Sequence, residues 1–133
     1  MKKFELTNET KIVFGKTLYR IKSLIEVETV KIGDLGGFVE KEENLSQSDN
    51  AWVTDNAQVT GNAHIFVVGP CGSRDDYTTF YRNKDKKIEV KCGCFCGEID
   101  KFLEKVNETH GDNKHGKVYK LAIEMAKEQI ELD

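Results

Sequence analysis

Hydrophobic and polar positions change their period twice along this chain, and the changes divide it into three zones. In the first, up to about Asn44, apolar residues come in short runs of the strand type. Lys11-Ile12-Val13-Phe14-Gly15 and Thr17-Leu18-Tyr19-Arg20-Ile21 read as two strands joined at Gly15–Lys16. From Ile25 to Ile32 the pattern alternates, Ile25, Val27, Thr29 and Lys31 against Glu26, Glu28, Val30 and Ile32, which predicts a third, less regular strand. Gly33-Asp34-Leu35-Gly36-Gly37 is a turn cluster, after which Phe38-Val39 resumes extended structure.

In the second zone the period is six. Aligned on asparagine, the hexads begin at Asn44, Asn50, Asn56 and Asn62. Leu45, Ala51, Ala57 and Ala63 recur at one position, and Val53, Val59 and Ile65 at another. Such a repeat is the signature of a β-helix: each hexad is one flat side of a triangular coil, the small residue fits the corner and the β-branched residue points inward. Asn, Asp and Gly fall at the bends, where positive φ is tolerated. The pattern predicts a stub of left-handed β-helix over about 44–67. Four hexads make little more than one coil, so its ends must be capped by the flanking zones or by another copy. Trp52 falls between the corner and core positions of its hexad and is expected to point outward as an oligomer contact. His64 sits at a repeat position that usually points outward.

The third zone begins as strand and ends as helix. His64-Ile65-Phe66-Val67-Val68 is a continuous apolar run of the buried type, Gly69 to Asp76 is a loop, and Tyr77 to Arg82 and Lys87 to Phe95 are strands joined by the turn Asn83–Lys86. Ile99, Phe102, Leu103 and Val106 then follow the i, i+3, i+4, i+7 rule of an amphipathic helix, with Gly111 as its stop. A second helix, about Lys114 to Leu132, carries Val118, Leu121, Ala122, Met125 and Gln129 on one stripe. The expected fold is α+β: N-terminal β strands, the short left-handed β-helix stub, and a C-terminal three-stranded sheet with two helices, in lobes 1–67 and 68–133.

Composition narrows the function classes. Charged residues are 32% of the chain and hydrophobic residues 38%, as in a soluble globular domain. No run approaches the roughly 20 apolar residues of a membrane helix, and no apolar segment follows Met1–Glu5, so the expected location is the cytoplasm. The net charge of -3 argues against general nucleic-acid binding. A cytoplasmic setting also makes reduced thiols the default for Cys71, Cys92, Cys94 and Cys96.

Several stretches together resemble a family of phage and prophage proteins, the hexapeptide-repeat, polymer-forming-cytoskeletal-like group. They are Leu35-Gly36-Gly37-Phe38-Val39-Glu40, Glu43-Asn44-Leu45-Ser46, and Asn50-Ala51-Trp52-Val53 with its trailing hexads. Gly72-Ser73-Arg74-Asp75-Asp76-Tyr77-Thr78-Thr79-Phe80-Tyr81, Cys92-Gly93-Cys94-Phe95 and Thr109-His110-Gly111-Asp112 resemble a module fused behind such repeats. The resemblance spans nearly the whole chain and implies a phage origin, hence the cytoplasm of a host cell. Family members often have many more hexads, so filament formation is not expected of this one.

The loop Gly69–Asp76 is the candidate site. Of three arginines in the chain, Arg74 lies in this loop and Arg82 ends the next strand, so two of them bracket one short segment, and Arg is the residue of choice for bidentate phosphate recognition. Gly72 and Ser73 offer backbone N–H groups and a hydroxyl, and Tyr77, Thr79 and Tyr81 a hydroxyl- and ring-bearing strand. The expected ligand-binding set is therefore Gly72, Ser73, Arg74, Tyr77, Thr79, Tyr81 and Arg82; the competing reading is an ordinary hairpin with surface Arg–Asp pairs. Cys92, Cys94 and Cys96 alternate, so one strand carries all three sulfurs on one face. That arrangement does not wrap a zinc ion as Cys-x-x-Cys does, and buried reduced thiols are the expectation, with no metal and no cofactor. His110, Asp112 and His115 lie in the interhelix turn, as a polar cluster or a plain connection.

No Gly-x-Ser-x-Gly, His-Glu-x-x-His or paired-carboxylate motif is present, which leans against an enzyme and leaves no catalytic residue to name. The expected function is a non-catalytic, homo-oligomeric (dimeric or trimeric) phage protein. It would sequester a small phosphorylated immune signal, of cyclic nucleotide or ADP-ribose-like class. The alternatives are direct inhibition of a host defence protein, such as a nuclease, in the manner of an anti-CRISPR, and a nucleotide-processing enzyme using His110 or a cysteine.

Overall fold

The computed structural model describes residues 2–13, 15–26, 29–54, 57–61, 64–72, 76–93 and 95–132. Two four-stranded sheets and two helices make an α+β fold. The first sheet has the order β1-β2-β3-β4. Strands β1 (Phe4–Val13) and β2 (Lys16–Ser23) form the expected hairpin, with Val13 paired to Lys16. β1 starts well before the apolar run at Ile12. It is an edge strand whose middle is exposed, so its polar residues Thr7 to Thr10 carry no hydrophobic signal. β3 (Leu35–Val39) pairs antiparallel with β2 and takes in Gly36 and Gly37, which the turn cluster had claimed.

The strand expected over Ile25–Ile32 does not form among its described residues. There the backbone folds back on itself: Ser23 N–H donates to the Asp34 carbonyl (2.8 Å), Gly33 N–H to the Ser23 carbonyl (2.9 Å) and Lys31 N–H to the Asp34 carboxylate (2.9 Å). Local turn bonds satisfy the donors that a ladder would have used.

Among the described residues the hexads bury the expected positions, and no left-handed β-helix is shown. Leu45, Ala51, Val53, Ala57, Val59 and Ile65 are all buried. Yet residues 45–54 have no regular structure, and β4 (Gln58–Val59) is only two residues long. β4 pairs in parallel with β3, Phe38 to Gln58 and Val39 to Val59, while Gly37 N–H donates to the Val53 carbonyl (2.9 Å). An array of about one coil has no second coil of hexads to pair with, so β3 takes that place.

The second sheet is an antiparallel meander of four strands, not three: β5 (Ile65–Cys71), β6 (Asp76–Arg82), β7 (Ile88–Cys92) and β8 (Phe95–Glu98). Gly93, at φ +57, turns the chain inside what reads as one strand and creates β8. Helices α1 (Ile99–Thr109) and α2 (Lys114–Gln129) pack on one face of this sheet. Gly111, at φ +60, ends α1 as expected, its N–H reaching the Val106 carbonyl (3.2 Å). Asn113 caps α2 by accepting from Gly116 N–H (2.9 Å).

The second sheet is the middle layer. Ile65, Val67 and Tyr81 join the core of the first lobe, whereas Phe66, Val68, Phe80 and Val90 join the core under the helices. This is why residues 65–68 are a continuous apolar run: both faces of β5 are covered. β5 also crosses residue 67, so the last hexad and the second sheet share a strand.

Trp52, expected outside, is only 3% exposed: it packs edge-on against Phe4 (ring centroids 6.5 Å apart) in the first core. His64, also expected outside, is buried, its Nδ1 2.6 Å from Thr60 Oγ1. On α2 the buried face is Gly116, Tyr119, Ala122, Ile123 and Ala126; of the expected stripe Ala122 is buried, Val118 is half-buried, and Leu121, Met125 and Gln129 are exposed. α2 carries two overlapping apolar stripes, and the sheet covers the one that holds Tyr119, Ala122, Ile123 and Ala126, while Gly116 packs on the interhelix turn, where a Cβ would collide with the Gly111 carbonyl oxygen. No helix among the described residues is long and apolar enough to cross a membrane.

Candidate functional site

The structure does not gather the seven expected ligand residues. Ser73 and Arg74 lie outside the described residues. Gly72, at φ +80, backs onto Tyr119 of α2, with no room for a Cβ beside the phenol oxygen. Tyr77 is half-buried and its N–H donates to Asn50 Oδ1 (3.1 Å). Thr79 is fully buried, and its hydroxyl accepts from Trp52 N–H (3.1 Å). Arg82 is 1% exposed and donates through Nε (3.3 Å) and Nη2 (3.2 Å) to the Gln58 carbonyl. Six residues of strand separate Asp76 from Arg82, about 20 Å at 3.3 Å per residue. Arg82 is therefore a strut between the sheets rather than part of a phosphate clamp at the loop.

Tyr81 leads to a better site. Its phenol, buried under the first lobe, donates to Glu89 Oε2 (2.6 Å) on β7. Thr54 Oγ1 stands 2.6 Å from the phenol oxygen and 3.2 Å from Glu89 Oε2, and Asn83 Nδ2 donates to Glu89 Oε1 (3.3 Å). Burial, then the nearby negative charge of Cys96 and Glu89, pushes the Tyr81 phenol far up, so it stays a donor. Glu89 is thus a well-satisfied acceptor in the floor of the structure and is not placed as a general base.

Lys91 follows Glu89 by two residues and lies on the same face of β7. It is 7% exposed, and its ammonium bonds the Gly93 carbonyl. No carboxylate among the described residues pairs with it; Glu89 is already engaged by Tyr81, Thr54 and Asn83. An ammonium withdrawn from water with one neutral acceptor is an expensive arrangement unless something supplies the counter-charge. Lys91 opens on a cleft of about 740 Å³ between the two lobes, lined also by Arg20, Thr29, Asp34, Trp52, Thr54 and Cys96. That volume falls in the range of small-molecule sites, about 300–1,000 Å³. Arg20 is held at the cleft by the Gly36 carbonyl (3.1 Å), by Glu9 (2.9 Å) and by the face of Phe38 (4.6 Å).

A second, smaller cavity of about 200 Å³ lies on the other face of the sheet, beneath the helices. Asp76, Cys92, Phe95, Phe102, His110 and Tyr119 border it. His110 stacks on Tyr119 (5.8 Å) and lies 5.4 Å from His115, so the interhelix turn does gather its rings, while Asp112 pairs with Lys120 (3.1 Å). Cys92 Sγ lies 3.9 Å from the Tyr119 oxygen. Burial raises both the Cys71 thiol and the Tyr119 phenol, which keeps them protonated and opposes nucleophilic chemistry here.

No family model, curated protein or solved structure matches the chain. The cleft's own chemistry is therefore the ground for a functional reading.

The cysteines do not share a face. Cys92 pairs with Phe95 and Lys91 with Cys96 across the β7–β8 turn. Cys92 meets Tyr119 on the helix side, whereas Cys96 meets Thr54 (3.3 Å) on the cleft side; Cys94 lies outside the described residues. Cys71, Cys92 and Cys96 are free thiols, and no metal-holding cluster occurs among the described residues. Sequence reasoning missed the cleft because its residues come from β2, the turn before β3, the hexads and β7–β8. One signal was available: in Ile88-Glu89-Val90-Lys91-Cys92 the polar residues alternate with apolar ones, marking a polar face that the first lobe then covers.

Proposed function

We propose that the protein is a non-catalytic binding module that holds a small phosphorylated ligand in the cleft between its two lobes. The observation that carries this is Lys91, a buried ammonium with no carboxylate partner among the described residues, facing the cleft beside Arg20 and the hydroxyl of Thr29. A phosphate or phosphodiester supplies the missing negative charge and accepts from Lys91, Arg20 and the Thr29 hydroxyl, while the Thr54 hydroxyl stays committed to Glu89. The cleft's size suits a ligand of the nucleotide or ADP-ribose class. Taken with the resemblance to phage proteins, the role is sequestration of a cyclic nucleotide or ADP-ribose-like signal that a host uses in defence.

Calorimetric titration with cyclic di- and trinucleotides and cyclic ADP-ribose variants tests it. The wild-type chain is expected to bind at least one of them, and Lys91→Met to weaken that binding about 10- to 100-fold, the range for a hydrogen bond to a charged group. Lys91→Met is expected to fold at least as stably as wild type, because the variant removes an uncompensated buried charge. Absence of binding to every phosphorylated ligand, or unchanged affinity in Lys91→Met, rejects the proposal. Mass spectrometry of the ligand after incubation, showing it unaltered, separates a sponge from an enzyme.

A further inference from the structure

Neither the cores nor the cleft accounts for the outer face of α2. Leu121 and Met125 are 66% and 55% exposed, one turn apart on the side opposite Tyr119, Ile123 and Ala126. The charges around them run in an unusual order. Lys114 and Lys117 are exposed at the start of the helix, with no acid in its first turn, and Glu124 and Glu128 are exposed towards its end, where Lys127 is the basic residue. The helix dipole favours acids at the start and bases at the end, so this distribution opposes α2's own field.

We propose that this face is an interface with a second copy of the chain, in which α2 packs antiparallel on α2 about a twofold axis between Leu121 and Met125. In that arrangement Leu121 of each copy covers Met125 of the partner subunit, burying both exposed residues. Lys117 lies about 9 Å before the axis and Glu128 about 7.5 Å after it, at 1.5 Å per residue. They are about three turns apart and so share one flank of the helix. The twofold operation then brings each Lys117 level with Glu128 of the partner subunit, and the basic start of one helix lies along the acidic end of the other. The charge order that α2 disfavours alone is self-complementary in the pair, as a twofold interface requires. A single helix seam is smaller than the roughly 1,600 Å² of a standard interface, so the dimer is expected to be weak and concentration-dependent.

Sedimentation velocity and light scattering on the full chain over a concentration series test it. The mass is expected to approach twice that of the chain as concentration rises, and less so in high salt. The double change Leu121→Arg with Met125→Arg is expected to give a monomer with an unaltered circular dichroism spectrum, since both side chains are exposed. Lys117→Glu is expected to weaken the dimer, and adding Glu128→Lys to restore it, because the reversed pairs still match. A monomer at every concentration, a dimer that survives the double arginine change, or no recovery in the reversed pair overturns the proposal. These readouts are independent of whether the cleft binds a ligand.

Discussion

Three side chains show how burial redirects the reading of a residue. Trp52 has the position of an outward hexad residue, yet its ring fills the first core and its backbone N–H is tied to Thr79. Trp52→Ala is therefore expected to destabilise the chain by about 3–5 kcal/mol, the cost of deleting a core aromatic, which denaturant titration measures. His64 is held below its ordinary value of 6.5, first by burial and next by the Arg82 charge. Between the folded and unfolded values the unfolded chain binds more protons, so stability is complete above about pH 6.5 and falls as the pH drops below it. The denaturation midpoint of wild type is expected to fall between about pH 7.5 and about pH 5.5, and that of His64→Gln to fall less. Lys3, fully buried, bonds the Asp49 carbonyl (3.0 Å) and pairs with the Asp49 carboxylate (3.3 Å), whereas Lys91 has no such carboxylate among the described residues.

Among the elements, β3 and β6 tie the two lobes to the hexads. Gly37 on β3 faces the Thr54 carbonyl and Ala57 so closely that a Cβ has no space. Gly37→Ala is expected to weaken the docking of the hexads on β3 and lower the thermal midpoint, whereas Gly61→Ala, with open space at its Cβ, is expected to change it little. A scanning calorimeter separates the two. On β6 the hexad residue Asn50 accepts from Tyr77 N–H and donates to Asp76 Oδ1 (both 3.1 Å), so an asparagine read as a bend residue also clamps the next sheet. The helix pattern in α1 was legible because one stripe dominates; α2 was misread because two stripes compete and only the facing sheet chooses between them.

At the scale of the whole molecule the lobes are joined by a common core: Ile65 and Tyr81 of the second sheet sit among Phe4, Trp52, Val53 and Val59 of the first lobe. Unfolding either lobe would strip the other's apolar face, so a single transition is expected, with fluorescence of the single Trp52 and helical circular dichroism changing together. A ligand in the cleft touches both lobes and is expected to raise the midpoint of that one transition; at about 100 times its dissociation constant the gain is about 2.7 kcal/mol.

The chain's own pattern determined which residues go inside: the period-six positions, the β5 run, the α1 stripe and the glycine that stops α1 all rest on local geometry and transfer free energy, which act wherever the residue sits. What the hexads pair with, which face of α2 is covered, and where Trp52, Thr79, Tyr81 and Arg82 point depend on what lies across from them, and only the packing of the two sheets decides that. The cleft belongs to the second class. Lys91 and Glu89 look like an ordinary solvated strand face until the first lobe closes over them: Thr54, Tyr81 and Asn83 engage the carboxylate, and among the described residues the ammonium has no counter-charge.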